Sequence, residues 1–222
     1  MWQLAARRID PAREDEVCAR LFEVEQASFD RTTTDQRSST LADLLRAAST
    51  ALGIDVAEVV LEEAATHYLD AWTPHVIHDE DAVPVLAALR DAGIRTGLLS
   101  NTHWPRAFHE HFLERDGLAP FLDERLYTSE MTHMKPHPKA FREAMRALDV
   151  TDASRAVFVG DRPYDDIWGA AMSGLRTVWR RNDLVPTYEQ AAPDAVIDRL
   201  PELLGVIEDW GGPAPGTQRP RK

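Results

Sequence analysis

Three short segments hold residues whose types and spacing suit chemistry on an anion. Ser100, Asn101 and Thr102 follow the apolar run 94–99. A hydroxyl, an amide and free backbone N–H groups at a strand end can fix an anionic oxygen in one direction, although polar strand-to-helix turns are also common for purely structural reasons. Lys135 lies in Met134-Lys135-Pro136-His137-Pro138. Two prolines stiffen the segment, which suits a cation that neutralises charge at a set point; a lone lysine also serves as a solvated surface group. Asp161 comes directly after Val157-Phe158-Val159-Gly160. An acid just beyond a buried strand is costly unless paired or bound to metal, and oxygen-only ligation fits Mg²⁺, which takes one or two carboxylates with waters and phosphate oxygens. Asp165 and Asp166 are further metal candidates or a capping pair for the next helix. Arg162 fits either a substrate anion or an ion pair.

The elements that must position these residues are legible from residue 80 onward, where apolar runs alternate with helical spacing as in βαβ units. Helices are predicted over 82–92, 105–113, 138–148, 166–172 and 200–207, with Gly93 and Gly174 as stops. Strands are predicted over 94–99, 125–128, 156–159, 176–179 and 195–197, the run 156–159 reading as the clearest buried strand. This order implies an α/β fold, a doubly wound parallel sheet of about five strands. In such sheets ligands bind beyond the carboxyl ends of the strands, where the three polar segments lie.

Residues 1–78 read as helix after helix. Trp2, Ala5, Ala6 and Ile9 make one stripe; Asp10 before Pro11, with Glu14, Asp15 and Glu16, marks a helix start; Val17, Leu21, Phe22 and Phe29 make the next apolar face. A third helix carries Leu41, Leu44, Leu45, Ala48 and Leu52 and stops at Gly53, and Asp55 can cap a fourth with Val59, Val60, Ala64, Tyr68 and Trp72. The division expected is a helical unit 1–78, an α/β core 79–210 and a Gly- and Pro-rich mobile tail 211–222.

Taken together, Leu98-Leu99-Ser100-Asn101, then Lys135-Pro136 with Pro138 and Phe141, then Val159-Gly160-Asp161 with Asp166 and Gly169-Ala170, resemble the second, third and fourth motifs of the haloacid dehalogenase superfamily in order and spacing. The resemblance covers residues 80–208. It implies that Ser100 and Asn101 bind a transferring phosphoryl group, that Lys135 steadies nucleophile and phosphate, and that Asp161 and Asp166 hold Mg²⁺ directly or through water. It further implies that the N-terminal helices are a cap closing over the site. The activity implied is a Mg²⁺-dependent phosphatase of a small phosphorylated metabolite. Two alternatives stand beside it: a non-catalytic protein of the same fold that binds phosphate or a partner, and a metal-independent haloacid dehalogenase.

The family's first motif, a strand ending in Asp-x-Asp-x-Thr that supplies the nucleophile, has no counterpart here; Asp10 follows Arg7 and Arg8 between two helices. The resemblance places that strand centrally, so its removal would open a gap of about 9.6 Å flanked by unpaired backbone. The expectation is that the natural protein starts upstream, with an N-terminally truncated, inactive chain as the consequence.

Composition bounds the partners. With 37 acidic against 25 basic residues and a net charge of −12, the surface repels nucleic acid and anionic lipid. No window approaches the roughly 18 apolar residues of a membrane span, and the single Cys18 cannot form an internal bridge, which fits a reducing cytoplasm. His75 and His78 read as joint or surface residues; His103 and Trp104, just after the second motif, read as substrate contacts or packing.

Overall fold

Apolar spacing builds four helices in the N-terminal third, as predicted. The computed structural model describes residues 1–212, and α1 (Trp2–Ile9), α2 (Glu14–Asp30), α3 (Leu41–Ala51) and α4 (Glu58–Trp72) account for most of its first 75 residues. Trp2, Ala5, Ala6 and Ile9 are buried as one stripe, and Trp2 stacks on Tyr68 of α4 at 3.9 Å between centroids. Asp10 caps the turn before α2 by accepting from Ala12 N, and three acids occupy the first turn of α2 at the positive end of its dipole. Thr40 and Asp43 form a reciprocal capping box on α3.

Four N-terminal expectations fail for geometric reasons. Phe22 is 61%, Phe29 36% and Val59 58% exposed. The buried face of α2 runs through Val17 and Leu21, which places Phe22 about 140° round from Val17, and the α4 face runs through Leu61, Ala64 and Tyr68, roughly opposite Val59. Asp55 does not cap α4; the helix begins after Ala57, which makes no side-chain cap.

From residue 82 the alternation appears as α5 (Ala82–Asp91), β1 (Gly97–Ser100), α6 (Arg106–Arg115), β2 (Glu124–Tyr127), α7 (Pro138–Ala147), β3 (Val157–Gly160), α8 (Gly169–Met172), β4 (Arg176–Arg180), β5 (Ala195–Ile197) and α9 (Glu202–Asp209). The first strand starts three residues later than its apolar run. Gly93 adopts φ +76° to end α5 and Ile94 N donates back to Leu89 O, so Ile94 belongs to the helix stop.

Among the described residues all strand pairs are parallel, but they form two ladders, β1-β2 and β3-β4-β5. One edge of β1 and one edge of β3 therefore have no strand partner among the described residues. This explains why β3 is less buried than its composition predicts: Val157 is 36% exposed, and the rest of the strand is half-buried. The ladders still share a core in which Leu99 of β1 and Phe158 of β3 pack around Phe141 and Ala170. No described helix is long and apolar enough to cross a membrane. Residues 213–222, most of the expected mobile tail, lie outside the described residues.

Candidate functional site

The three polar segments lie at carboxyl ends of parallel strands, and side chains tie them together. Ser100 ends β1 opposite Tyr127 of β2. Asn101 donates from Nδ2 to Lys135 O at 2.9 Å and accepts at Oδ1 from Lys135 N at 2.8 Å. The sequence reading places Asn101 on the phosphoryl group; the structure uses both ends of its amide to hold the main chain of Lys135. Thr102 is also engaged locally. Its N–H donates to Thr128 Oγ1 at 2.8 Å, and its hydroxyl accepts from Trp104 N and meets His109 Nε2, both at 3.0 Å.

So fixed, Lys135 extends beneath the sheet end to Asp166, with Nζ 2.7 Å from Oδ1, and the two residues are 7% and 3% exposed. The other oxygen of Asp166 accepts from Arg162 N at 3.0 Å. Gly160 makes this approach geometrically feasible, because a Cβ there would overlap the Asp166 carboxylate. Asp166, expected as a metal ligand, thus has each of its oxygens engaged in one hydrogen bond.

The predicted helix 166–172 begins earlier than expected, as a wide π-type turn over Pro163–Trp168 that continues into α8, and this turn sets the neighbouring acid apart. Asp165 is buried, its Oδ1 has no hydrogen-bond partner among the described residues, and its Oδ2 lies 3.5 Å from Arg162. Burial pushes its carboxyl up to about 6, with the Arg162 guanidinium opposing the rise and Asp166 adding to it. Arg162 therefore serves as an ion-pair partner within the site.

Asp161, past the end of β3, accepts at Oδ2 from Asn182 Nδ2 at 2.7 Å, and its carbonyl accepts from Trp179 Nε1 at 3.2 Å. Neither Trp179 nor Asn182 belongs to the three polar segments, but β4 lies parallel to β3 with Trp179 opposite Gly160, so residues past the end of β4 also reach the site.

The donor set fits a hard cation: Asp161 and Asp165 offer carboxylate oxygens, one of them buried and unpartnered. Among the described residues, no group of three or more His, Cys, Asp or Glu side chains gathers around a common point.

Helices α1–α4 are stitched over this end of the sheet. Glu25 accepts from Trp2 Nε1 and Tyr68 OH, each at 2.8 Å, and lies 3.3 Å from His103 Nε2. His103 is 5% exposed, and Trp104 packs on Trp72 and His109, so both residues join the helical layer to the turn after β1. The loop before α3 also pairs with the segment leading to Lys135, through Met134 N to Gln36 O at 2.9 Å and Ser38 N to Thr132 O at 3.3 Å. His75 lies edge-on to Trp72, and His78 meets Asp116 at 2.6 Å.

His109 makes the packing at this end sensitive to pH. Its ring stacks on Tyr127 at 4.7 Å, and burial pushes its imidazole down from 6.5 to about 4, with Glu110 opposing. The folded state keeps it neutral while the unfolded chain protonates, so its contribution is complete above pH 6.5 and is lost as pH falls toward 4. The expected result is a fall in unfolding free energy of up to about 1.4 kcal/mol per pH unit across that window. Denaturant titrations of wild type and His109→Gln check it, and equal slopes would refute it.

Comparison with known proteins agrees with this architecture. The haloacid dehalogenase-like hydrolase family profile matches residues 3–174. Over 162 residues the chain is 33% identical to a glyceraldehyde 3-phosphate phosphatase of Methanopyrus kandleri, covering 71% of this chain and 68% of the relative. It is 34% identical over 124 residues to a phosphoserine phosphatase of Thermus thermophilus, covering 56% of this chain and 49% of the relative. Of the Pyrococcus glyceraldehyde 3-phosphate phosphatases it spans only 54% and 53%. Among solved structures, a HAD phosphatase from Thermococcus onnurineus superposes with a TM-score of 0.63 at 23% identity, over 96% of this chain and 88% of that one. An L-2-haloacid dehalogenase from Xanthobacter autotrophicus gives 0.61 at 20%, over 92% and 90%. The chain belongs to the haloacid dehalogenase-like hydrolases.

Proposed function

We propose that this hydrolase is a Mg²⁺-dependent phosphatase of a small phosphorylated metabolite. The observation that carries the reading is the buried Lys135–Asp166 pair at 2.7 Å, its main chain clamped by Asn101 directly after Ser100. A cation held this rigidly at the sheet end suits an anion whose charge must be met at one point. The phosphatase names of the Methanopyrus and Thermus relatives support the same chemistry.

In this reading Ser100 fixes a phosphoryl oxygen, and Lys135 neutralises charge beside it. Asp161 and Asp165 hold the cation, with Asn182 fixing the Asp161 carboxylate and Asp166 holding Lys135. When bound, Mg²⁺ acts as a Lewis acid on the phosphoryl group. Helices α1–α4 act as the cap that excludes water. The nucleophile is a carboxylate on a strand seated between the free edges of β1 and β3; none of the 222 residues supplies an Asp-x-Asp-x-Thr segment. The lone Cys18 thiol supports a reducing cytoplasm as the compartment.

The test is metal dependence in a protein whose sheet is completed by such a strand. Hydrolysis of p-nitrophenyl phosphate is expected with Mg²⁺ and is expected to stop with EDTA. Chelator-resistant chloride release from 2-chloropropionate would point to a dehalogenase, and phosphate binding without turnover to a non-catalytic protein.

A further inference from the structure

Glu25 of α2, its side chain 19% exposed, is a carboxylate to which the proposed chemistry gives no part. Three donors converge on it. Trp2 Nε1 of α1 reaches one oxygen at 2.8 Å, and the other accepts from Tyr68 OH of α4 at 2.8 Å and meets His103 Nε2, from the turn after β1, at 3.3 Å. Burial raises the carboxyl, but the hydrogen bonds from His103, Trp2 and Tyr68 outweigh this and hold it below the usual range. An ionised carboxylate only accepts, so His103 carries a proton on Nε2 to meet it.

Two of these donors bind the helical layer to itself, and the third comes from the core. The turn that follows Ser100 is otherwise held from the core side: Asn101 by Lys135, Thr102 by Thr128 and Trp104 by Ser129. His103 is the exception. Among the described residues its hydrogen bonds run only to the helical layer, its carbonyl accepting from Leu41 N at 2.7 Å and its ring meeting Glu25. Phe29 of α2 lies tilted against that ring at 5.0 Å between centroids. With His103 5% exposed, the turn cannot shift without drawing the ring out of the helical layer.

We infer that Glu25 is a positioning residue for the phosphoryl site: by holding His103 it sets the turn that presents Ser100, so docking of the helical layer and the shape of that site are coupled. The inference rests on the reading of Ser100 as a phosphoryl-binding group. The place calls for a carboxylate, because a glutamine would turn its own N–H₂ donor toward one of the three donors. A role confined to the helical bundle would need only Trp2 and Tyr68.

Calorimetric titration of the 222-residue chain with orthophosphate in Mg²⁺ tests it, on wild type, Glu25→Gln, Tyr68→Phe and Ser100→Ala. Glu25→Gln and Tyr68→Phe are both expected to lower the melting temperature, so stability alone does not discriminate. Orthophosphate is expected to bind about tenfold more weakly to Glu25→Gln, the scale of one charge-assisted hydrogen bond. Tyr68→Phe keeps the Glu25–His103 contact and is expected to stay within about twofold of wild type. Should Glu25→Gln fail to fold, wild type decides by itself: in ¹⁵N–¹H spectra orthophosphate is expected to move the Trp2 indole N–H resonance together with the Ser100 amide, because Glu25 joins the two through His103. Unchanged affinity in Glu25→Gln, an equal loss in Tyr68→Phe, or a Trp2 resonance that stays fixed while Ser100 moves would overturn the positioning role and leave the phosphoryl site standing. Failure of wild type to bind orthophosphate, or unchanged binding in Ser100→Ala, would remove both.

Discussion

Replacing Lys135 with methionine is expected to destabilise the protein by about 3–5 kcal/mol, because it strands a buried carboxylate. Asp166 is 3% exposed and has only one other polar partner among the described residues, the N–H of Arg162 at 3.0 Å. Methionine keeps most of the stem length but supplies neither the Nζ charge nor its donors, and also loses the ammonium from its place 5.0 Å from the Phe158 ring centre. The pair is not thereby a large net source of stability. Its desolvation costs about as much as its attraction returns, so Lys135→Met/Asp166→Leu is expected to recover most of the loss. Urea unfolding of the three proteins separates these effects. A loss below about 1 kcal/mol in Lys135→Met would show that water reaches Asp166 and that the pair is not a sealed element of the site.

This arrangement explains how much of the site could be read along the chain. Periodicity located the strands, and the carboxyl-end rule picked out Ser100, Lys135 and Asp161, because both depend on local pattern. What each neighbour does was not legible, since it depends on partners far away in sequence. Asn101 meets Lys135 across 34 residues, Asn182 meets Asp161 across 21 and Glu25 meets His103 across 78. The division of labour between Asp165 and Asp166 turns on a wide helical turn that leaves one carboxylate satisfied and the other with a free oxygen. No residue type announces such a turn. The exposure of Val157 was missed for a related reason: a strand's composition does not say whether both its edges are paired.

The free edges of β1 and β3 carry the second large prediction. Fusing ahead of Met1 a short apolar strand that ends in Asp-x-Asp-x-Thr is expected to place a carboxylate beside Ser100, Lys135 and Asp161. Loss of a nucleophile in a covalent mechanism costs on the order of 10⁴-fold or more in rate, so the completed protein should exceed the 222-residue chain by at least that order. Replacing the first Asp of the added strand by Asn should return the rate to that of the unextended chain. Both depend on backbone pairing at the two edges, which amide hydrogen exchange on β1 and β3 would register as new protection.

The most direct measurement is therefore the rate of p-nitrophenyl phosphate hydrolysis in Mg²⁺ by the strand-completed protein, beside the unextended chain and the completed protein carrying Ser100→Ala. Turnover is expected in the completed protein and not in the unextended chain, reduced on the order of 10²-fold or more when Ser100 is lost. A completed protein that gains protection on β1 and β3 yet hydrolyses no faster than the unextended chain would contradict it.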